Sequence, residues 1–206
     1  MSRLHLAPTC CVLILLFVAG CAPTGERTAG YEAEASEPPP AEALARAEQV
    51  ADAVGSELMS TLTEELLEGG PVGAVRVCSE VAPEVAASHS VDGVLVRRVS
   101  LKVRNPADNP DDHERKVLEQ FAAQLARGEA LEPHAQVVEQ SGRRTLRYLR
   151  PIKIMEPCLN CHGSREQMEP ELLKLLDERY PNDTAVDYRE GDLRGAFSVS
   201  IDLDDG

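Results

Sequence analysis

Two cysteines and a histidine close together in the chain form its most chemically specific motif. Cys158 and Cys161 are separated by two residues, and His162 follows directly. Two thiols at this spacing can form thioethers with the two vinyl groups of a porphyrin, and the adjoining imidazole can coordinate the iron from the same turn. The motif therefore predicts one covalently bound haem c, attached through Cys158 and Cys161, with His162 as an axial ligand of the iron.

The same pair of cysteines suits two other chemistries. A structural zinc site normally needs four protein ligands, and no second pair accompanies this one. Redox-active pairs usually open a helix in a thioredoxin-like fold, whereas Cys158 follows a predicted strand and Pro157. Haem attachment is therefore favoured, and a disulfide between Cys158 and Cys161 is the main alternative.

Cys78 is the remaining cysteine of the part that is expected to fold. Cys10 and Cys11 fall in a predicted export signal, and Cys21 lies at its end. Because an unused thiol is a liability in an oxidising compartment, a use for all three folded cysteines is favoured, as two thioethers and one iron ligand. Cys78 is then a candidate for the second axial ligand, and the alternative is a small buried hydrophobic residue.

Other side chains also offer an axial ligand. They are Met59, Met155, Met168, His89, His113 and His134. We expect the methionines to serve in packing. His113 and His134 lie beside acidic residues or proline, and we expect both to be solvated surface histidines.

The first residues predict export and membrane attachment. An apolar run from Val12 to Val18 is too short to span a bilayer and is typical of a signal peptide. Val18-Ala19-Gly20-Cys21 resembles a bacterial lipobox, which predicts a signal peptide over residues 1–20 and a lipid on Cys21; an ordinary signal peptide cut nearby is the alternative. Residues 21–42 lack large apolar side chains and are expected to form a flexible tether. The expected location is the periplasm or cell envelope, and Ala22 after the lipid position is compatible with the outer membrane.

Composition narrows the class of protein. The formal net charge of −14 excludes the basic surface that nucleic-acid binding requires, so we expect no nucleic-acid partner. Aromatic residues make up 3% of the chain and tryptophan is absent, so a buried porphyrin would complete an otherwise aliphatic core. The length suits one domain, which we expect over residues 43–206.

Hydrophobic periodicity predicts an α+β fold with helices around a small antiparallel sheet. A long amphipathic helix is expected over residues 43–68, ending at Gly69-Gly70-Pro71, and a second over 72–87 with Cys78 facing inward. Asp111 and Glu114 predict a capping box that opens a helix to Gly128. The remaining predicted elements are strands at 94–103, 135–140, 145–154 and 195–203, and a helix at 166–179.

Four ordered segments resemble a known family. They are Ala74–Pro83 around Cys78, Arg97–Pro106, Pro151-Ile152-Lys153 and Gly191–Phe197. Together with the motif at Cys158, they are similar to the family of single-haem c-type proteins with a PAS-like fold, first described from cyanobacteria. That family also supplies sensor modules to membrane histidine kinases and cyclases.

The resemblance implies a fold, a ligand set and a set of basic residues. It implies a PAS-like antiparallel sheet with a long N-terminal helix, Cys78 and His162 as the axial ligands of the haem iron, and Cys158 and Cys161 as the thioether pair. If strand alternation holds over the predicted strand and the residue after it, Arg98, Lys102 and Arg104 share one face. One or two of them could pair with haem propionates, and a solvated strand face is an equal alternative.

These expectations leave two functions. A thiolate opposite an imidazole stabilises ferric iron, so the reduction potential should be low. Release of the thiolate on reduction would open the iron to CO or NO, which suits a redox or gas sensor with a separate signalling partner. The alternative is a low-potential electron-transfer cytochrome with a redox partner. An enzyme is not expected, because two strong axial ligands leave no stable open position.

Overall fold

The computed structural model describes Met1 and residues 37–204. The predicted signal peptide, Cys21 and most of the predicted tether lie outside the described residues. Within the described part, no helix combines the length and the apolar character needed to cross a membrane.

A long helical arm precedes the sheet. Helix α1 spans Ala41–Arg76, and its backbone leaves helical geometry at Gly70 (φ 61°, ψ −165°), directly before Pro71. Proline lacks the amide hydrogen that would continue the helical ladder, and glycine tolerates the positive φ, so the predicted break is confirmed as a kink. The arm continues through a π-helical turn at Val77–Val81 into α2, Ala82–Ser88.

The sheet has four antiparallel strands, β1 (Val94–Val99), β2 (His134–Gln140), β3 (Arg143–Lys153) and β4 (Leu193–Asp202). Their order is β1-β4-β3-β2, so the last strand of the chain lies in the middle. The other elements are the helices α3 (Asp112–Ala126), α4 (Leu159–His162) and α5 (Pro170–Arg179), with 3-10 turns at Pro106–Asp108, Glu156–Cys158 and Arg165–Gln167. The α+β class, the antiparallel sheet flanked by helices and the long N-terminal helix are thus confirmed.

Strand alternation divides the sheet into two apolar faces. On one face, Val96, Tyr148 and Val199 are paired across neighbouring strands and pack against the first half of α1. On the other, Val99, Leu149 and Ala196 pack against α3 through Val117, Leu118 and Phe121. Helix α5 packs separately against the part of α1 that follows the kink.

The first strand ends earlier than predicted. It was expected to reach residue 103 but stops at Val99. Beyond it, the Ser100 amide donates to the carbonyl of Asp108, and the carbonyls of Lys102 and Arg194 both lie within hydrogen-bond distance of the Ser100 hydroxyl, which bends the chain away from the sheet. A Cβ on Gly195 would lie 2.2 Å from the Val99 carbonyl oxygen, so glycine allows β4 to approach the end of β1.

The capping box that opens α3 is present. The Asp111 carboxylate accepts from the Glu114 amide at 2.8 Å, and the Glu114 carboxylate accepts from the Asp111 amide at the same distance. The Glu114 carboxylate also accepts a hydrogen bond from Arg97 at 2.7 Å, and this ion pair fixes the start of α3 against β1. This local prediction succeeded because capping depends on residues three apart in the chain.

Candidate functional site

A cavity of about 1040 Å³ lies between the helical arm, the sheet and the segment around α4. Cys78, Cys158, Cys161 and His162 all line it. Its volume matches the upper end of the range for ligand and cofactor pockets, roughly 300–1,000 Å³. Four residues that were singled out for their chemistry are therefore brought to one cavity, although Cys78 is distant from the others in the chain.

The local turn explains how three of the four come together. Cys158 ends the 3-10 turn, and α4 is a single helical turn that contains Cys161 and His162. Residues three and four apart lie on one side of a helical turn, so both thiols and the imidazole point toward the same space. A Cβ on Gly163 would lie 2.7 Å from the Leu159 carbonyl oxygen, so a glycine closes the turn.

Cys78 enters the site from the opposite wall. It lies in the π-helical turn at Val77–Val81, directly after the kinked part of α1. Such turns insert an extra residue into a helix and occur frequently at functional sites. Burial raises the pKa of the Cys161 thiol to about 11; the Arg104 charge opposes this shift, and Cys78 and Cys158 add to it. The three sulfurs therefore share one electrostatic environment, and all three are free thiols in the structure.

His162 is held in the form that a metal requires. Its Nδ1 lies 2.7 Å from the Ala185 carbonyl oxygen, which makes Nδ1 the protonated nitrogen, and its Nε2 is left to accept. Burial, followed by the charges of Arg194 and Arg104, places the pKa of His162 well below its ordinary value. The ring stands edge-on to Tyr188 at 6.1 Å. A neutral imidazole with a fixed Nδ1–H and an accepting Nε2 is the usual iron-ligating arrangement, and in this structure Nε2 accepts from Arg194 at 3.4 Å.

The wall of the cavity is basic although the whole chain is acidic. Five basic and two acidic side chains line it: Arg98, Arg104, Arg150, Lys153 and Arg194, with Glu64 and Asp108. Leu58, Leu62, Ile152 and Phe197 contribute apolar surface. A porphyrin with two carboxylates fits this combination of thiols, imidazole, apolar wall and positive charge.

The sequence patterns did not reveal three residues of the basic wall, Arg150, Lys153 and Arg194. Arg194 donates to the Ser100 hydroxyl at 2.8 Å and toward His162 Nε2 at 3.4 Å. Arg150 and Arg98 both pair with Phe197 in the register of the sheet, so the two arginines flank this ring across three neighbouring strands. Alternation along the predicted strand 145–154 already puts Arg150 on the face of Tyr148, which is the signal that could have revealed it.

The expectation that Lys102 and Arg104 share a strand face with Arg98 is wrong. Because β1 ends at Val99, these side chains do not share a strand face with Arg98. Lys102 donates to the Val186 carbonyl, and Arg104 pairs with Asp183 at 2.8 Å. Of the three, Arg98 keeps a place on the sheet, with Asp108 at 3.5 Å.

The other candidate axial ligands lie in different parts of the structure. Met59 and Met155 line the cavity and are partly exposed, whereas Met168 packs in the α5 core. His89 pairs with Glu57 at 3.1 Å. The expectation that His113 and His134 are solvated is wrong, because their rings face each other at 5.9 Å and both Nε2 atoms are buried without a hydrogen-bond partner. They lie on α3 and β2 and are not among the residues that line the cavity.

The protein is thus an α+β domain in which a Cys-x-x-Cys-His turn and a third thiol line one basic-walled cavity. The chain belongs to the Tll0287-like family, whose model matches residues 33–202. It is similar to the crystal structure of the cyanobacterial heme-protein Tll0287, with 29% identity, a TM-score of 0.54, and coverage of 79% of this chain and 93% of that chain. A search of curated proteins gave no match.

Proposed function

We propose that this protein binds one haem covalently through Cys158 and Cys161, with His162 and Cys78 as axial ligands, and acts as a redox or gas sensor of the cell envelope. The observation that carries the proposal is the convergence of these four side chains on one basic-walled cavity. Membership of a family that includes a heme-protein supports the cofactor.

Each residue has a distinct task at this site. A haem held here supplies one-electron redox chemistry and an iron that can bind diatomic gases. His162 presents a neutral Nε2, and Cys78 adds the negative charge of a thiolate, which favours the ferric state and lowers the reduction potential relative to methionine ligation. Arg98, which contacts Asp108, and Arg150, which contacts Asp52, both line the cavity and would neutralise two carboxylates of a bound haem.

The setting of Cys78 favours sensing. Cys78 would hold the iron of a bound haem as a thiolate, which is a better match for ferric than for ferrous iron, so reduction would favour its protonation or release. Cys78 lies in a π-helical turn between two α-helical segments. Because such a turn holds one residue more than the α-helical ladder, a change in its register offers a route from ligand release to movement of the helical arm.

A low-potential electron carrier is the second candidate. Met59, Leu67 and Met155 are exposed and line the cavity, so an apolar rim borders the site. Together with a net charge of −14, this rim suits transient docking of a basic redox protein. Two strong axial ligands leave no stable position for substrate, so we propose no enzymatic activity.

The first experiment tests covalent attachment. Protein coexpressed with a haem-attachment system is denatured under reducing conditions and stained on a gel for haem-associated peroxidase activity. We expect staining in the wild type and in Cys78→Ser, and loss of normal attachment in the Cys158→Ser/Cys161→Ser variant. Cys78→Ser is the matched control, since it also removes a cavity thiol. A wild type without stain would contradict the proposal.

The second stage separates a sensor from a carrier. We expect the ferrous wild type to bind CO or NO rapidly, with displacement of Cys78 seen in the absorption spectrum. Fast electron exchange with a small redox mediator, without any binding of gas, would instead support the carrier. Both measurements use the same reduced sample, so the two functions are compared under one set of conditions.

A further inference from the structure

A buried ion pair lies directly behind His162. Arg104 is 6% exposed, and its Nε donates to Asp183 at 2.8 Å, with the two side chains 5% and 2% exposed. Removing two charges from water is costly, so a buried pair of this kind is weak evidence for a role in stability alone. The pair joins segments 79 residues apart in the chain.

Both members of this pair hold the backbone of Ala185, one at its carbonyl and the other at its amide. Arg104 Nη2 donates to the Ala185 carbonyl at 3.3 Å, and the Asp183 carboxylate accepts from the Ala185 amide at 2.8 Å. Arg104 Nη2 also donates to the Cys161 carbonyl at 2.6 Å, so it reaches the turn of the Cys-x-x-Cys-His motif as well. Ala185 itself is 0% exposed.

Ala185 is the hydrogen-bond partner of His162. Its carbonyl oxygen lies 2.7 Å from His162 Nδ1, on the side of the ring opposite the ligating nitrogen. The partner of Nδ1–H sets both the orientation of a ligating imidazole and its strength as an electron donor. The charge pair therefore fixes the hydrogen-bond acceptor of His162 Nδ1–H, on the side of the ring away from Nε2.

We propose that Arg104 and Asp183 are positioning residues for His162: they clamp the Ala185 carbonyl against Nδ1–H and the Cys161 carbonyl beside it. This inference rests on the proposed function, in which His162 ligates the haem iron. The clamp orients the imidazole and adjusts its donor strength, without direct contact between the ion pair and the iron.

The clamp depends on an arginine side chain at position 104. A guanidinium carries five donors in a planar fork, and this one reaches Asp183, Cys161 and Ala185 together. Lysine keeps the positive charge but concentrates its donors on one nitrogen at the end of a flexible stem. Arg104→Lys therefore removes the geometry of the clamp while leaving its charge in place.

The test uses Arg104→Lys and the isosteric Asp183→Asn, prepared with the haem that they carry. A matched control exists three residues after His162, where Arg165 pairs with Asp177 at 2.5 Å with side chains 37% and 61% exposed. Arg165→Lys and Asp177→Asn make the same chemical changes in a pair that has no contact with Ala185. Thermal unfolding of each variant establishes that it is folded at the temperature of measurement.

Two readouts follow His162 directly. NMR of protein with isotope-labelled histidine measures solvent exchange of the His162 Nδ1 proton, and we expect exchange to accelerate about tenfold or more in both clamp variants, the size of effect expected for loss of one hydrogen bond. In Arg104→Lys, which conserves charge, the reduction potential should also rise, because a less firmly hydrogen-bonded imidazole donates less to ferric iron. The control variants should match the wild type in both.

The outcomes are distinct from those of the proposed function. Wild-type exchange and potential in a folded Arg104→Lys variant would overturn the clamp, and if that variant does not fold, wild-type exchange in Asp183→Asn would do so. A wild type that lacks covalent haem would instead contradict the proposed function, while the exchange of the His162 proton would still decide whether the clamp exists.

Discussion

Among the side chains that line the cavity, the surroundings differ in their hydrogen bonds, in their effect on the pKa and in the local backbone. His162 has its Nδ1 proton bound to Ala185 and a pKa lowered by burial, then by Arg194 and Arg104. Cys161 has a pKa raised by burial to about 11, so it remains a thiol at neutral pH until it reacts. Cys78 lies in a π-helical turn, where its position depends on the conformation of the arm.

The first residue-scale prediction concerns Cys78. Replacing it in Cys78→Ala removes the negative charge that favours ferric iron, so the ferric absorption spectrum should change. The reduction potential should rise by more than about 60 mV, a tenfold change in a one-electron equilibrium. Visible spectroscopy and a spectroelectrochemical titration measure both effects.

The control for this variant is Met59→Leu, which changes another sulfur-containing side chain of the cavity wall. It should leave the spectrum and the potential close to those of the wild type. A ferric spectrum unchanged by Cys78→Ala would remove Cys78 from the proposed site. A spectrum changed by Met59→Leu would point to methionine as the ligand.

Among the secondary-structure elements, features that depend on neighbouring residues were predicted correctly, whereas one that depends on distant residues was not. The kink at Gly70 and the capping box at Asp111 followed from adjacent residues, and both are present. The end of β1 at Val99 could not be predicted from adjacent residues, because the bend after this strand depends on hydrogen bonds from Ser100 to Asp108 and Arg194. One of those partners is 94 residues away, so no local pattern records it.

The contact between α3 and β2 carries a pH-dependent prediction. The rings of His113 and His134 are in contact there, and burial is the main cause that lowers the pKa of both. The charges of Arg147 and His134 lower the pKa of His113 further, whereas Asp111 and Glu114 oppose this shift. Protonation of these rings is thus less favourable in the folded state than in the unfolded state. The two histidines therefore contribute to the free energy of unfolding in full above their pKa in the unfolded state, about 6.5, and this contribution is lost as the pH falls below that value.

The measurement is thermal unfolding between pH 7.5 and pH 5.5. The wild type should lose thermal stability as the pH falls across this range, and His113→Asn/His134→Asn should lose less of it. A steady potential and visible spectrum in the double variant would show that the cavity is not disturbed. If the pH dependence of unfolding is equal in the two proteins, the pair does not contribute in the expected way.

At the scale of the whole molecule, a basic-walled cavity lies within a strongly acidic chain. The five basic residues of the wall come from β1, β3, β4 and the segment after β1, which adjoin because β4 lies between β1 and β3. Such a charge distribution directs an anionic ligand into the cavity and leaves the exterior suited to a basic partner. Attachment to a membrane through Cys21 would keep this domain at the cell envelope.

The anchor prediction is tested in cells. Cys21→Ala should prevent lipid attachment and release the protein from the membrane fraction, because cysteine is the acceptor for the lipid. Metabolic labelling with a radioactive fatty acid and fractionation measure this, with Cys78→Ala as a control that keeps Cys21. Wild-type protein that takes up no label would contradict lipid anchoring and leave the haem proposal untouched.

The motif at Cys158 to His162, the helix break and the capping box could be predicted from the chain alone, because each depends on residues within a few positions of one another, and the α+β class followed from hydrophobic periodicity. The count of cysteines and the resemblance to a family also pointed to Cys78. Three features appear only in the folded molecule: Cys78 and the motif line one cavity, Arg150 and Arg194 belong to its wall, and Arg104 and Asp183 hold Ala185 behind His162. These relationships join residues that are distant in the chain, so sheet order and burial, rather than local spacing, bring them together.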